Sequence, residues 1–195
     1  MDKLKHVKPL KAHEEDAINY IKEFYKYNSN INGSGGLDRY LDDYDGWLKK
    51  LENDRNCIPS EEKVPAETYF LVRESDNKIV GMINIRLCLN KRLSKFAGHI
   101  GYGIRPTERR KGYNKVNLYL GLKCLKEHGV KEAFLDCEKN NPASSKTMIA
   151  LGGKLKREYY SNYTKSIVQD YLIDIDKSLK ENEKIYEPMI STSSL

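Results

Sequence analysis

One junction limits the folds open to this chain more than any other. Phe96 to Ile104 reads as a strand, glycine-rich at Gly98, Gly101 and Gly103. From about Asn114 to His128 the residues Val116, Tyr119, Leu120, Leu122, Cys124 and Leu125 recur at helical spacing, and Gly129 stands where a helix is often closed. Between the two lies Arg109-Arg-Lys-Gly-Tyr-Asn114. A strand that turns straight into a helix gathers unpaired N–H groups and the positive end of the helix dipole at one point. Such donors suit a phosphate or pyrophosphate, and Gly112 lets the backbone come close to it. Arg109, Arg110 and Lys111 oppose the dipole, a conflict that a bound anion removes. The competing reading is a structural turn with solvated charges.

The rest of the chain supplies layers around this junction. Leu4 to Pro9 reads as a short strand. His13 to Tyr27 and Leu37 to Leu51 carry apolar residues at helical spacing, separated by an Asn-, Ser- and Gly-rich loop from Asn28 to Gly36. Glu52 to Pro65 reads as a connector. Thr68 to Val72 and Lys78 to Asn90 form a hairpin about Asp76-Asn77. Ala133 to Cys137 is a strand, and Asn141-Pro142 opens a helix that runs to about Leu151, with Asn as N-cap and Pro in the first turn. Lys154 to Tyr160 and Ile167 to Ile175 are the last strands. The order predicts an α+β (mixed α/β) domain over residues 1–180, with a central mixed, mostly antiparallel sheet flanked by helices. Residues 181–195 read as a polar, mobile tail.

Composition excludes several classes. At 195 residues with 39% apolar residues and 14 tyrosines, the chain has the length and the side chains for one packed core. No apolar run approaches a membrane span and the N-terminus lacks a signal-peptide stretch, so the expected location is the cytoplasm. Cys57, Cys88, Cys124 and Cys137 form no Cys-x-x-Cys pair, so no metal site is expected; Cys88 and Cys124 read as core. The net charge of +6 is concentrated: residues 91–131 hold eleven Lys or Arg against Glu108 and Glu127. Such a field implies an anionic ligand, either a phosphorylated small molecule or nucleic acid. A solvated basic face is the plainer alternative.

From about Phe96 to Ile175 the sequence resembles the GNAT superfamily of N-acetyltransferases. That family places Arg/Gln-x-x-Gly-x-Gly/Ala between a strand and a helix, and here the motif reads Arg109-x-x-Gly112-x-Asn114. Gly98-His-Ile-Gly-Tyr-Gly-Ile-Arg-Pro106 looks like the family's fourth strand. The run from Asp136 to Gly153 is similar to its Asn-x-x-Ser…Gly motif, and Tyr171-Leu-Ile-Asp174 to its last strand. The resemblance implies acetyl-CoA as co-substrate and direct transfer of the acetyl group to a primary amine, on a small molecule or a peptide. It implies that the Ile104 backbone pairs with the pantetheine arm. The loop Arg109, Arg110, Lys111, Gly112, Tyr113 and Asn114 would hold the pyrophosphate, with Arg105 a further cofactor-binding candidate; Asn141 and Ser145 would flank the CoA arm, with Lys146 near a phosphate. Asn141 reads equally as a plain N-cap.

Two departures from the pattern bear on chemistry. Asn114 stands where Gly or Ala is usual. Met148 stands where many relatives have a tyrosine that protonates the departing thiolate, and methionine has no proton to give. An amine of pKa near 10 is mostly protonated at pH 7, so a base helps. Relatives often carry Glu before Ile100-Gly-Tyr; here the residue is His99, a candidate base, with Tyr102 and Tyr160 as lesser candidates. In relatives the early helices border the acceptor, so Asp38, Asp42, Asp43 and Asp45 are candidate attractants for a cationic amine; a solvated helix face is the alternative. Two other functions compete: an acyl-CoA sensor without turnover, and a nucleic-acid-binding domain on the basic stretch, which lacks a reader motif. The chain is expected to act as a monomer or homodimer.

Overall fold

The computed structural model describes residues 2–191. Strand β1 (Leu4–Val7) leads through a 3-10 turn into α1 (Glu14–Lys26), whose Ala17, Tyr20, Ile21 and Phe24 are buried. A loop and a second 3-10 turn (Leu37–Arg39) precede α2 (Tyr44–Arg55), followed by the hairpin β2 (Ala66–Arg73) and β3 (Lys78–Arg86), and by β4 (Ile100–Ile104). After β4 the chain forms α3 (Tyr113–Glu127), β5 (Glu132–Glu138), α4 (Pro142–Ala150), β6 (Lys154–Ser161), β7 (Ser166–Asp174) and α5 (Ile175–Tyr186).

The expected α+β class, with mostly antiparallel strands flanked by helices, is present as two antiparallel sheets. One has the order β1-β2-β3-β4 and the other β5-β7-β6. The first sheet is covered on both faces. Leu71, Ile83, Ile85 and Ile100 pack with Val116, Leu118, Leu122 and Leu125 of α3, while Phe70, Val72, Ile79 and Met82 pack with α1, α2 and the fully buried Trp47. This explains why β2 and β3 read as nearly continuous apolar runs rather than as alternation.

Four expectations change. The helix predicted from Leu37 to Leu51 breaks: α2 starts only at Tyr44, because the Asp43 carboxylate accepts from Gly46 N–H at 2.9 Å and caps a new helix there. The strand predicted from Phe96 shortens to Ile100–Ile104, because Ala97 and Gly98 take positive φ of 65° and 56° and turn the chain. Cys88 is half-buried rather than core. The tail expected from residue 181 is instead ordered as far as the described residues extend. Asp174 caps α5 by accepting from Lys177 N–H at 3.0 Å, Ser178, Asn182 and Tyr186 are buried, and Tyr186 packs on Tyr119 of α3. Residues 192–195 of that expected tail lie outside the described residues. Among the described residues no helix is long and apolar enough to cross a membrane.

Candidate functional site

The two sheets meet at one seam and then part. Beside β4, His99 N–H donates to the Phe134 carbonyl at 2.7 Å, and Phe134 N–H donates to His99 Nδ1 at 3.0 Å. Beyond this seam, among the described residues, β4 pairs only with β3, and β5 only with β7. Both strands leave in the same direction, since the helices that follow them touch. Asn114 at the start of α3 donates to Thr147 Oγ1 of α4 at 3.4 Å, and the Tyr102 hydroxyl lies 2.8 Å from Ser144 Oγ in the first turn of α4. The result is a wedge between β4 and β5, open toward the N-termini of α3 and α4.

The register shows which backbone groups face that wedge. Arg105 N–H donates to Val80 O and Arg86 N–H to His99 O, so the pairs 105 with 80 and 99 with 86 are hydrogen-bonded pairs. In an antiparallel ladder such pairs alternate with non-bonded ones. The N–H and C=O of Gly101 and Gly103 therefore point to β3, while those of Tyr102 and Ile104 point to the open edge. Apart from the Ile104 carbonyl, which accepts from Arg109 at 3.2 Å, that edge offers the donors and acceptors of an unpaired strand to whatever lies in the wedge.

At the mouth of the wedge, Gly112 is the N-cap of α3 with φ of +82°, and no side chain caps that end. An added Cβ at Gly112 would have nothing within 4 Å, so the glycine is needed for its backbone angle and for open access rather than for packing. No acidic residue lies in the first turn of α3, and its leading N–H groups lack helical partners by geometry. Arg110 also takes positive φ, at 65°. The loop thus leaves backbone N–H groups and an open glycine at the start of α3.

The three cations of the loop divide. Arg109 stacks over Phe24, donates to Ser29 Oγ at 2.6 Å and to the Ile104 carbonyl at 3.2 Å, so it ties the loop to the α1 side. Lys111 is ion-paired to the buried Glu108 at 2.7 Å, together with Arg73 and Lys78. Burial pushes the Glu108 carboxyl up, but hydrogen bonds from Lys111, Lys78 and Arg73 outweigh it and hold it down at about 2. Arg110 is exposed on the loop. Arg105, expected to touch the cofactor, is buried instead, where it pairs with Asp16 and Glu23 of α1 and donates to the Ile79 carbonyl. Tyr113 is buried, with its hydroxyl on Asp2 and Arg73.

On α4, the Asn141 side chain accepts from Ser144 N–H at 3.2 Å, so it is the N-cap the sequence allowed. Ser145 Oγ donates to the Pro142 carbonyl, and Lys146 is exposed. The residue of α4 that reaches across the wedge is Ser144, which the sequence reading passed over. Its signal was its place three residues after the cap, facing β4 rather than solvent. Met148 is fully buried.

His99 is not placed as a base. Its Nδ1 lone pair is taken up by Phe134 N–H, and burial drives its pKa down to about 4, against the smaller effect of that hydrogen bond. It is a joint between the sheets. Burial raises the Tyr102 hydroxyl well above its ordinary value, so it stays protonated. Tyr160 is exposed on β6. The acidic run near α2 does not form one face: Asp38 accepts from Ser34, Asp43 is a cap, and Asp45 pairs with Lys11.

The sequence model of the Acetyltransferase (GNAT) family matches residues 34–152. Among solved structures, the microcin C7 self-immunity acetyltransferase MccE, in complex with acetyl-CoA and AMP, superposes with TM-score 0.64 at 16% identity, over 88% of this chain and 92% of that one. The ribosomal L7/L12 α-N-protein acetyltransferase RimL, in complex with coenzyme A, gives 0.64 at 14% identity, over 89% and 96%. A chimera of the spermidine N-acetyltransferase SpeG from Vibrio cholerae and hSSAT gives 0.61 at 12%, over 91% and 99%. Identities this low speak to the fold. A sequence comparison with curated proteins finds no match.

Proposed function

Because this chain belongs to the GNAT acetyltransferase family, we propose that it transfers an acetyl group from acetyl-CoA to a primary amine. The observation that carries the reading is the pairing of the open β4 edge with the uncapped N-terminus of α3 at one wedge. In this reading the pyrophosphate rests on the N–H groups from Arg110 to Asn114, with Arg110 as its mobile counter-charge. The pantetheine arm lies along Tyr102 and Ile104 as an added strand. An N–H of that edge is suited to hold the thioester oxygen as charge develops.

The amine nitrogen attacks the carbonyl carbon, the C–S bond breaks, and the electron pair leaves on sulfur. Met148 has no proton for that sulfur. The Tyr102 hydroxyl, protonated and held by Ser144 across the wedge, is the proton donor in its place. The buried cysteines suit no covalent route: Cys137 lies on β5, and burial pushes its thiol up to about 11. The acceptor is a small molecule or a peptide with a free amine.

The test is free-thiol release from acetyl-CoA with a polyamine, an amino acid and a peptide with a free N-terminus. Turnover with any of them supports the reading. CoA binding with no turnover on any amine would favour an acyl-CoA sensor, the reading to which the buried Met148 points.

A further inference from the structure

Resting on the transferase reading, we propose that Asp136 is the general base that deprotonates the acceptor amine. It stands on β5 two residues beyond Phe134, where the two sheets have begun to part. Ala133, Leu135 and Cys137 of β5 are buried toward α3, so Asp136, between Leu135 and Cys137, faces the other side of the sheet. On the first sheet that side carries Gly101 and Gly103, which present bare backbone. The loop before α2 lies directly on them: an added Cβ at Gly33 would come within 2.6 Å of the Gly101 oxygen. Asp136 and this loop therefore flank the parting on the face away from α3 and α4.

The carboxylate is held but not neutralised by a contact. Asp136 Oδ2 accepts from Ala97 N–H at 2.8 Å, and among the described residues Oδ1 has no hydrogen bond and Asp136 has no ion pair. The nearby Arg86 guanidinium donates to the Ala97 and Gly98 carbonyls instead. Asp170, directly across the ladder on β7, is 2% exposed and bonded to Arg157, with its Oδ1 unpartnered. The charged and titratable groups close enough to feel the Asp136 charge are Arg86 from β3, Tyr102 from β4, Cys137 beside it, Tyr159 from β6 and Asp170 from β7.

The amine arrives as an ammonium with three protons. Asp136 Oδ1 takes one and passes it to solvent, and the freed lone pair forms the C–N bond to the thioester carbon. As the C–S bond breaks, the sulfur takes a proton from Tyr102, and the second nitrogen proton replaces it. Nitrogen keeps the third proton as the amide N–H.

Asp136→Asn tests this, because the amide oxygen still accepts from Ala97 N–H while the charge is lost. At pH 7 turnover is expected to fall by about a hundredfold. Only about one amine in a thousand is neutral at that pH. The loss is therefore expected to shrink as pH rises toward the amine pKa, with Asp136→Glu restoring part of the rate. CoA affinity by calorimetry is expected to stay within twofold. Wild-type turnover matched by Asp136→Asn at every pH would overturn the proposal alone. A loss that is constant across pH would assign Asp136 a structural role and overturn it too. A wild-type chain that binds CoA and releases no thiol would overturn the transferase reading and this proposal with it.

Discussion

The Tyr102 hydroxyl and Ser144 Oγ, 2.8 Å apart, join β4 to α4 across a gap that no strand bridges. The contact places an O–H beside the open strand edge and fixes it from the opposite wall. Replacing Tyr102 by Phe removes only that hydroxyl. Turnover is expected to fall by roughly tenfold to a hundredfold, with little change in CoA affinity. Ser144→Ala leaves the phenol in place and is expected to lose less. Steady-state kinetics with calorimetric CoA titration checks both; unchanged turnover in Tyr102→Phe would return the proton-donor role to solvent.

The histidine at the seam makes stability depend on pH. Burial pushes both His99 and His6 down to about 4, from an unfolded value of 6.5. Between those values the unfolded chain binds more protons than the folded one, so stability rises with pH there. The contribution is complete above about 6.5 and is lost as pH falls toward 4, on the order of 3 kcal/mol for each group. Urea unfolding at pH 7 and pH 5 is expected to show this drop. His99→Gln is expected to lower stability at pH 7 but to flatten the dependence.

Glu108 precedes the Arg109–Asn114 loop and holds Arg73, Lys78 and Lys111 together. Glu108→Ala leaves the largely buried Arg73 without this partner, at an expected cost of about 3 kcal/mol. A reduced Tm by calorimetry, accompanied by weaker CoA binding as the loop loses its anchor, is the expected outcome.

The junction at Gly112 was legible because its chemistry is local. A glycine with positive φ before an apolar helical repeat is written into a few adjacent residues, as is the Asn141 cap. The helical spacing of α1 and α3 and the β2–β3 hairpin were likewise readable from periodicity. The missed features depend on partners far along the chain. His99 is a joint rather than a base because Phe134 occupies its lone pair. Arg105 is an anchor because Asp16 and Glu23 lie above it. The order of α5 rests on contact with α3, which lies some sixty residues earlier, and the polar residues on its outer face disguised it as a tail. Asp136 was invisible as a site residue because one carboxylate on a strand carries no motif.

The most direct test of the account is calorimetric titration of CoA onto the wild-type chain, Gly112→Ala and Gly112→Glu. The alanine Cβ meets nothing within 4 Å, so Gly112→Ala measures backbone strain alone. The glutamate adds a negative charge at the start of α3, where the proposed function puts the pyrophosphate. The expected result is one CoA per chain, modest weakening in the alanine variant, and at least a tenfold further loss in the glutamate variant with the fold intact by circular dichroism. Equal affinity in Gly112→Glu and wild type would contradict the account.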